Sequence, residues 1–323
     1  MPKITLNDKR YNCEPKQTVL EALLSQNVVV PYGCRQGVCH SCLMRSMDGS
    51  PPDEAQVGLK DAQIAQDQFL ACQCYPEQDM QVCLPEHTEL IPAVVLSKEA
   101  LTDEIIHLIL EPDEKLDFHA GQFVNLQRED GLLRSYSIAN IPSASATLEF
   151  HIRKLENGQF SQWVYNDLKV GDRLEIHTPQ GDCFYVPGNP QQNLLLIGTG
   201  TGLAPLAGII ADALSHQHSG SIHLFHGSRD ASGLYLVDEM QKLAGQHDNF
   251  NYTACVSSSP SSEGFASGRA NDIALESYPE LKEWRIYLCG HPEMVKTTQQ
   301  KSFLAGAKLQ DIYADAFLIG DNQ

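Results

Sequence analysis

Residues 32–45 read "YGCRQGVCHSCLMR" and set three cysteines, Cys34, Cys39 and Cys42, at the spacing C-x4-C-x2-C, with glycines at 33 and 37. The next cysteines, Cys72 and Cys74, stand in "FLACQCYPEQD", and 29 residues separate Cys42 from Cys72. A two-iron, two-sulfide cluster needs four thiolates around a compact rhomb. One loop supplying three and a distant strand supplying the fourth gives that shape, and C-x4-C-x2-C followed at a distance by one more Cys is the plant-type [2Fe–2S] spacing. Gly33 and Gly37 let the loop fold tightly enough to turn its amides toward the sulfurs. Structural zinc usually takes two C-x2–4-C knuckles or Cys/His pairs. Only one x2 pair is present here, so zinc and chance remain as alternatives.

The 323 residues are enough for two or three domains, each burying its own core. A formal charge of −18 argues against nucleic-acid binding, which needs a basic surface. It suits a protein that meets small anions in local basic pockets, or a partner with a basic patch. The opening "MPKITLNDKRYNCEPK" has no apolar h-region. The longest apolar stretch, "NLLLIGTGTGLAPLAGIIADAL", is interrupted by glycines and a proline and makes a poor membrane span. Ten cysteines without a secretory signal read as metal ligands and free thiols. The expectation is a cytoplasmic protein with no membrane insertion and no nucleic-acid partner.

Three patterns follow one another along the chain. Residues 1–90 open with alternating runs, "KITLN" and "RYNCE", about an Asn7-Asp8 turn, then a Thr18/Glu21 capping box and a short helix, implying a small α+β domain. "LPEHTELIPAVV" (84–95) has the composition of a linker. Residues 91–188 carry short alternating strands punctuated by Gly and Pro, the pattern of an antiparallel β-barrel, with one helix in "FSQWVYNDL". Residues 189–323 alternate apolar strands with helical segments, predicting a doubly wound parallel sheet. "SSSPSSEG" (257–264) reads as a mobile surface loop.

Two further stretches carry chemistry. In "RSYSIAN" a single strand offers a cation (Arg134), a ring face (Tyr136) and a small donor (Ser137), which suits a planar redox cofactor with a diphosphate. Gly158 to Ser161 opens a helix nearby, and helix N-termini bind anions. "LLLIGTGTGLAPL" runs a buried strand into Gly198, Gly200 and Gly202 and then a helix, a site for a pyrophosphate. "YLCGHPEM" ends a strand in Cys289-Gly290, where a doubly wound sheet places its ligand crevice. For Cys289 the alternative is a small buried strand residue. Arg229 in "FHGSRD" stands where a 2′-phosphate or an adenine would be met, with Asp230 beside it.

The cysteine pattern and "LACQCYP" resemble a plant-type ferredoxin domain of the β-grasp type, and its L-x-C stretch points to Cys72, with Cys74 outside the ligand set. His40 departs from the Gly the family commonly has between its second and third cysteines. R-x-Y-S followed by G-x-x-S resembles the ferredoxin–NADP reductase superfamily. That likeness implies that Arg134, Gly158 and Ser161 hold the FAD diphosphate and that Tyr136 and Ser137 contact the isoalloxazine. It further implies that Gly198, Gly200 and Gly202 take the nicotinamide nucleotide and that Cys289-Gly290 lies by its C4, with Ser137 and Cys289 the catalytic positions. His291 departs from the Pro common there. Phe317 in "YADAFLIG" stands where related reductases put a C-terminal aromatic against the flavin, although a core aromatic reads equally well. The order of the three signatures is similar to that of the reductase components of bacterial multicomponent oxygenases. It implies an NAD(P)H-dependent iron–sulfur flavoprotein with FAD, a [2Fe–2S] cluster on Cys34, Cys39, Cys42 and Cys72, and NADH in preference to NADPH. Its partner would be an electron-acceptor protein such as a terminal oxygenase component. Reductases for a nucleotide-sugar dehydrase or for free flavin, and a redox-sensing binding protein, stay as alternatives.

Overall fold

The computed structural model describes residues 1–85, 89–142, 146–258 and 264–317. The chain divides into two compact units, Met1–His87 and Thr88–Gln323.

In the first unit β1 (Lys3–Leu6) and β2 (Lys9–Asn12) form a hairpin whose turn residues Asn7 and Asp8 both have positive φ (50° and 61°). Such two-residue turns favour Asn and Asp, and their twist matches that of the strands. The α1 helix (Val19–Ser25) starts at the expected capping box: Thr18 Oγ accepts from the Glu21 amide (3.2 Å) and Glu21 Oε2 accepts from the Thr18 amide (3.0 Å). Its Val19, Leu20, Ala22 and Leu23 enter a core with Ile4, Leu6, Met44 and Phe69. β3 (Leu43–Ser46), the short α2 (Asp61–Ile64), β4 (Gln68–Leu70) and β5 (Met80–Cys83) complete a five-stranded sheet in the order β2-β1-β5-β3-β4, β5 running parallel to β1.

The second unit holds two six-stranded sheets. The first is antiparallel: β6 (Leu90–Ala100), β7 (Ile105–Pro112), β8 (Phe123–Gln127), β9 (Leu133–Ser137), β10 (Leu148–Arg153) and β11 (Arg173–His177), with α3 (Gln159–Asn166) before the last strand. The order is β10-β7-β6-β11-β8-β9, and its two ends, β10 and β9, lie in contact, so the sheet curls into a barrel around Leu108, Val124, Phe150 and Ile176. β6 corrects the linker expected over 84–95: from Leu90 onward the chain is a strand paired on both sides. Pro92 fits because the β6–β7 register begins at Ala93↔Pro112, so its missing N–H is not required there.

The second sheet is parallel and ordered β15-β14-β13-β12-β16-β17. Its elements are β12 (Asn193–Thr199), α4 (Leu203–Ser215), β13 (Ile222–Ser228), α5 (Val237–Gln246), β14 (Phe250–Val256), β15 (Ala266–Ser267), α6 (Ala270–Ser277), β16 (Trp284–Gly290), α7 (Pro292–Leu304) and β17 (Ile312–Ala316). Leu194 to Ile197 of β12 are almost fully buried, as a strand covered on both faces must be. Most of the loop expected at 257–264 lies outside the described residues.

Candidate functional site

The cysteine loop of the first unit is wound by residues with positive φ: Arg35 (57°), Gly37 (76°) and His40 (55°). His40 thus occupies a left-handed position suited to glycine, at a cost of roughly 1–2 kcal/mol. The winding aims amides at sulfur. The Cys34 amide donates to Cys39 Sγ (3.3 Å), and the amides of Gln36 (3.3 Å) and Cys39 (3.4 Å) donate to Cys34 Sγ. A hydrogen bond from Ser41, and after it the Cys34 amide, bring the exposed Cys39 thiol down to about 6. Burial pushes Cys42 up to about 11, with Cys72 and Cys39 close enough to perturb it. The pairing Leu43↔Leu70 and the bond from the Ala71 amide to the Cys42 carbonyl (3.0 Å) draw the 71–74 segment alongside the loop.

Cys72 and Cys74 part company here. Cys72 is approached by Gln73 Nε2 at 3.5 Å and neighbours Cys42. Cys74 is fully buried, its thiol against Met80 Sδ (3.9 Å), and burial, then Cys13, pushes it up to about 12. Among the described residues no three His, Cys, Asp or Glu side chains converge as one metal ion requires. A two-iron cluster does not require that convergence, because its four thiolates are shared between two irons. The contiguous set Cys34, Cys39, Cys42 and Cys72, with its ring of amides, fits such a group.

The second unit contains a cavity of about 1690 Å³, larger than the roughly 300–1,000 Å³ of a single small-molecule pocket. Its walls include Arg134, Tyr136 and Ser137 of β9, Gly158 and Ser161 at the start of α3, Gly200 after β12, Arg229 after β13, Gly290 at the end of β16, and Phe317. Nine of the expected residues therefore share one cavity. It opens at the C-terminal ends of the parallel strands, where such sheets bind ligands. Tyr136 packs on Phe160 (centroids 5.6 Å), and burial raises its phenol. Ser161 Oγ accepts from the Leu155 amide (3.1 Å) and donates to the Gly158 carbonyl (3.3 Å), closing the loop into a cradle.

Gly198, Gly202 and Cys289 are placed otherwise than as ligand contacts, for they are not on the cavity wall. A Cβ on Gly198 would meet Leu206 Cδ1 at 2.7 Å, and one on Gly202 would meet the Cys289 carbonyl oxygen at 2.2 Å. These glycines let turn and strand backbones touch. Cys289 is fully buried, its thiol 3.8 Å from Cys183 Sγ, and burial raises it well above the ordinary thiol range. Phe317 lines the cavity and its amide donates to the Gly290 carbonyl (2.8 Å).

Two residues were missed from sequence. Asp315, whose signal was its place two residues before Phe317, receives a 2.6 Å hydrogen bond from Ser137 Oγ. Burial raises its carboxyl, with Ser137 acting in the opposite direction. Arg153, two residues beyond His151 in "HIRKL", reaches within 3.7 Å of the point where a Cβ on Gly200 would sit, and pairs with Glu104 at 2.8 Å.

Three family descriptions match in succession: a 2Fe-2S iron–sulfur cluster binding domain over residues 4–77, an oxidoreductase FAD-binding domain over 92–185, and an oxidoreductase NAD-binding domain over 196–300. A Ralstonia reductase component of naphthalene 1,2-dioxygenase/salicylate 5-hydroxylase systems is 32% identical, covering 95% of each chain. A Yersinia pestis CDP-6-deoxy-L-threo-D-glycero-4-hexulose-3-dehydrase reductase is 28% identical, also covering 95% of each. The crystal structure of an Amycolatopsis cytochrome P450 reductase superposes with a TM-score of 0.69 at 30% identity, covering 98% of this chain and 99% of that one. No helix among the described residues is long and apolar enough to cross a membrane. The chain belongs to the family of NAD(P)H-dependent iron–sulfur flavoprotein reductases in which a [2Fe–2S] domain is fused to FAD- and NAD-binding domains.

Proposed function

We propose that this reductase serves a terminal oxygenase component, passing electrons from NADH through FAD to the [2Fe–2S] centre and out to that partner. The observation that carries the reading is the single cavity walled both by the barrel strand with Tyr136 and Ser137 and by the Gly200 turn and Gly290 of the parallel sheet. Flavin and nicotinamide can meet only where those two walls face one space. The chemistry that FAD would supply when held there is acceptance of an electron pair and release of single electrons, the form an iron–sulfur centre can accept.

The chain's own groups supply placement. The Arg134 guanidinium and the amides opening α3 at Gly158–Ser161 would hold the flavin diphosphate through charge-assisted bonds. Tyr136 would give the ring a face, Ser137 a hydroxyl held in place by Asp315, and Phe317 a cover. The Gly200 turn, with Arg229 on the adenosine side, would hold the nicotinamide nucleotide, Gly290 leaving room for its ring. Cys34, Cys39, Cys42 and Cys72 would ligate the cluster. None of the ten cysteines, all of them among the described residues, is in a disulfide, which suits a reducing, cytoplasmic setting. The three successive family matches support domain limits of about 1–90, 91–188 and 189–323, the first close to the break after His87. The Yersinia relative supports a second reading, electron supply to a nucleotide-sugar dehydrase.

The test is steady-state oxidation of NADH and NADPH with two acceptors, ferricyanide and cytochrome c. Cys72→Ser should keep ferricyanide reduction, which needs only flavin and nucleotide, and lose most cytochrome c reduction. Equal rates to cytochrome c with and without the cluster would overturn the proposed electron route. Turnover by the cognate oxygenase, set against that by a sugar-nucleotide dehydrase, separates the two partner readings.

A further inference from the structure

The alternate residues Leu148, Phe150 and Ile152 of β10 fill the barrel core, so Glu149, His151 and Arg153 project from the other face. Arg153 approaches the Gly200 turn. His151 is only 9% exposed yet lines the cavity. Its Nδ1 lies 2.9 Å from the hydroxyl of Tyr235, a residue of the parallel-sheet portion that is itself 4% exposed. This buried bond therefore joins the barrel to the nucleotide-binding portion.

The network fixes where the protons sit. Were Nδ1 the donor, the tyrosine's one hydrogen would be buried with no acceptor among the described residues. Tyr235 therefore donates to Nδ1, and the imidazole hydrogen is on Nε2, which has no protein partner among the described residues. Burial, and after it the neighbouring His107, bring His151 down to about 3, so the ring is neutral at physiological pH. A neutral N–H donor thus faces the cavity.

Tyr235 is held for this role from two sides. Leu236, next in sequence, has φ 53°, a left-handed conformation that a leucine rarely takes, and it turns the chain into α5. The Tyr235 ring meets the fully buried His226 edge-on (5.7 Å, 86°). His226 Nε2 lies 3.2 Å from the Gly200 carbonyl, which can only accept, so Nε2 donates to it and Nδ1 accepts from the Tyr252 hydroxyl (3.3 Å). One tyrosine thus touches both the cavity-facing imidazole and the imidazole that anchors the Gly200 turn.

We propose that Tyr235 and His151 form a positioning pair for the nicotinamide nucleotide, in which the tyrosine hydroxyl orients the imidazole so that Nε2–H binds the diphosphate–ribose portion beside Gly200 and Arg153. The proposal rests on the reading of the Gly200 turn as the nucleotide site. His151 is the binding residue, and Tyr235 acts through it.

The test uses the FAD-loaded full chain, with NAD+ affinity measured by titration calorimetry and the KM for NADH measured with ferricyanide. Tyr235→Phe keeps the ring and removes one neutral hydrogen bond, so Kd and KM should rise roughly three- to tenfold while FAD is retained. His151→Ala should lose at least as much, and His151→Gln, which restores a neutral donor, should recover most of the affinity. Tyr235→Phe added to His151→Ala should cost nothing more, since it works through the imidazole. Unchanged Kd and KM in Tyr235→Phe, or losses that add in the double variant, would overturn the proposal. Should Tyr235→Phe fail to hold FAD, the Ala-against-Gln comparison at His151 decides it, failure of Gln to recover affinity counting against the pair. Gly202→Ala serves as the reference. A raised KM there with none in Tyr235→Phe sinks the pair alone, whereas no change in either sinks the assignment of the turn.

Discussion

Gly202→Ala gives the sharpest test of how the nucleotide turn is built. The φ of Gly202 is −59°, open to any residue, so the requirement for glycine there is one of space. An alanine Cβ would fall 2.2 Å from the Cys289 carbonyl oxygen, 2.6 Å from its carbonyl carbon and 3.1 Å from Gly290 Cα. All three are backbone atoms, so no side chain can rotate away. β16 is also locked by pairing to β12 on one side and β17 on the other. The relief must come from the turn, which has to retreat by roughly 1 Å to restore ordinary contact distances. Overpacking of this kind costs about 1–3 kcal/mol in stability, and a displacement of ~1 Å at a binding site can lower turnover by as much as ~100-fold. We expect kcat/KM for NADH, read as ferricyanide reduction, to fall between tenfold and a hundredfold. FAD content, read from the visible spectrum after gel filtration, should hold, because the atoms the added Cβ would meet belong to β16 and not to β9 or α3. Wild-type KM and kcat with an unchanged melting temperature would refute the steric argument.

Two more outcomes follow from burial. Cys74→Ser should keep the visible absorption of the cluster, because that thiol faces Met80 and Cys13, but should lower the melting temperature by burying a hydroxyl, at about 1–3 kcal/mol; bleaching by this substitution alone would refute Cys72 as the fourth ligand. Asp315→Asn tests the raised carboxyl: the native state keeps a proton above pH ~3.9, where the unfolded chain has lost it, so the contribution of Asp315 to stability is full below that pH and is lost as pH rises through the raised native value. The asparagine variant lacks that loss, so its stability relative to wild type should grow with pH and then level off in melts taken from pH 4 to 9; a difference flat in pH would contradict the raised carboxyl.

What could be read in advance was whatever the chain writes locally. The Thr18/Glu21 box and the alternation in β10 each depend on residues within a turn or two of one another, and both stand as read. Sheet register was not legible. Residues 90–95 have linker composition, yet they form a strand because β7 and β11 flank them. Cys289 reads as a nicotinamide neighbour, but a loop residue 106 positions away takes up its thiol. Tyr235 and His151 meet across 84 residues, and Ser137 and Asp315 across 178, with no local pattern to announce either pair.

Charge shows the same division and says where the anions go. A chain of formal charge −18 repels nucleotides at long range, so binding must be won inside the cavity. Five cations line it: Arg134, Arg153, Arg229, Arg269 and Lys301. Two are answered by carboxylates, Arg153 by Glu104 and Lys301 by Asp272. Arg134, Arg229 and Arg269 have no carboxylate partner among the described residues. Composition counts arginines but cannot tell one answered by a carboxylate from one that is not, and only the latter keep an unneutralised charge for phosphate. Arg134 stands on β9 of the barrel, whereas Arg229 follows β13 and Arg269 precedes α6 in the parallel-sheet portion. Under the proposed function two diphosphates would be met by separate guanidinium groups that no carboxylate among the described residues neutralises, Arg134 for one and Arg229 and Arg269 for the other. That arrangement would let an acidic protein keep FAD resident at one end of the cavity while NAD(P)H entered and left at the other.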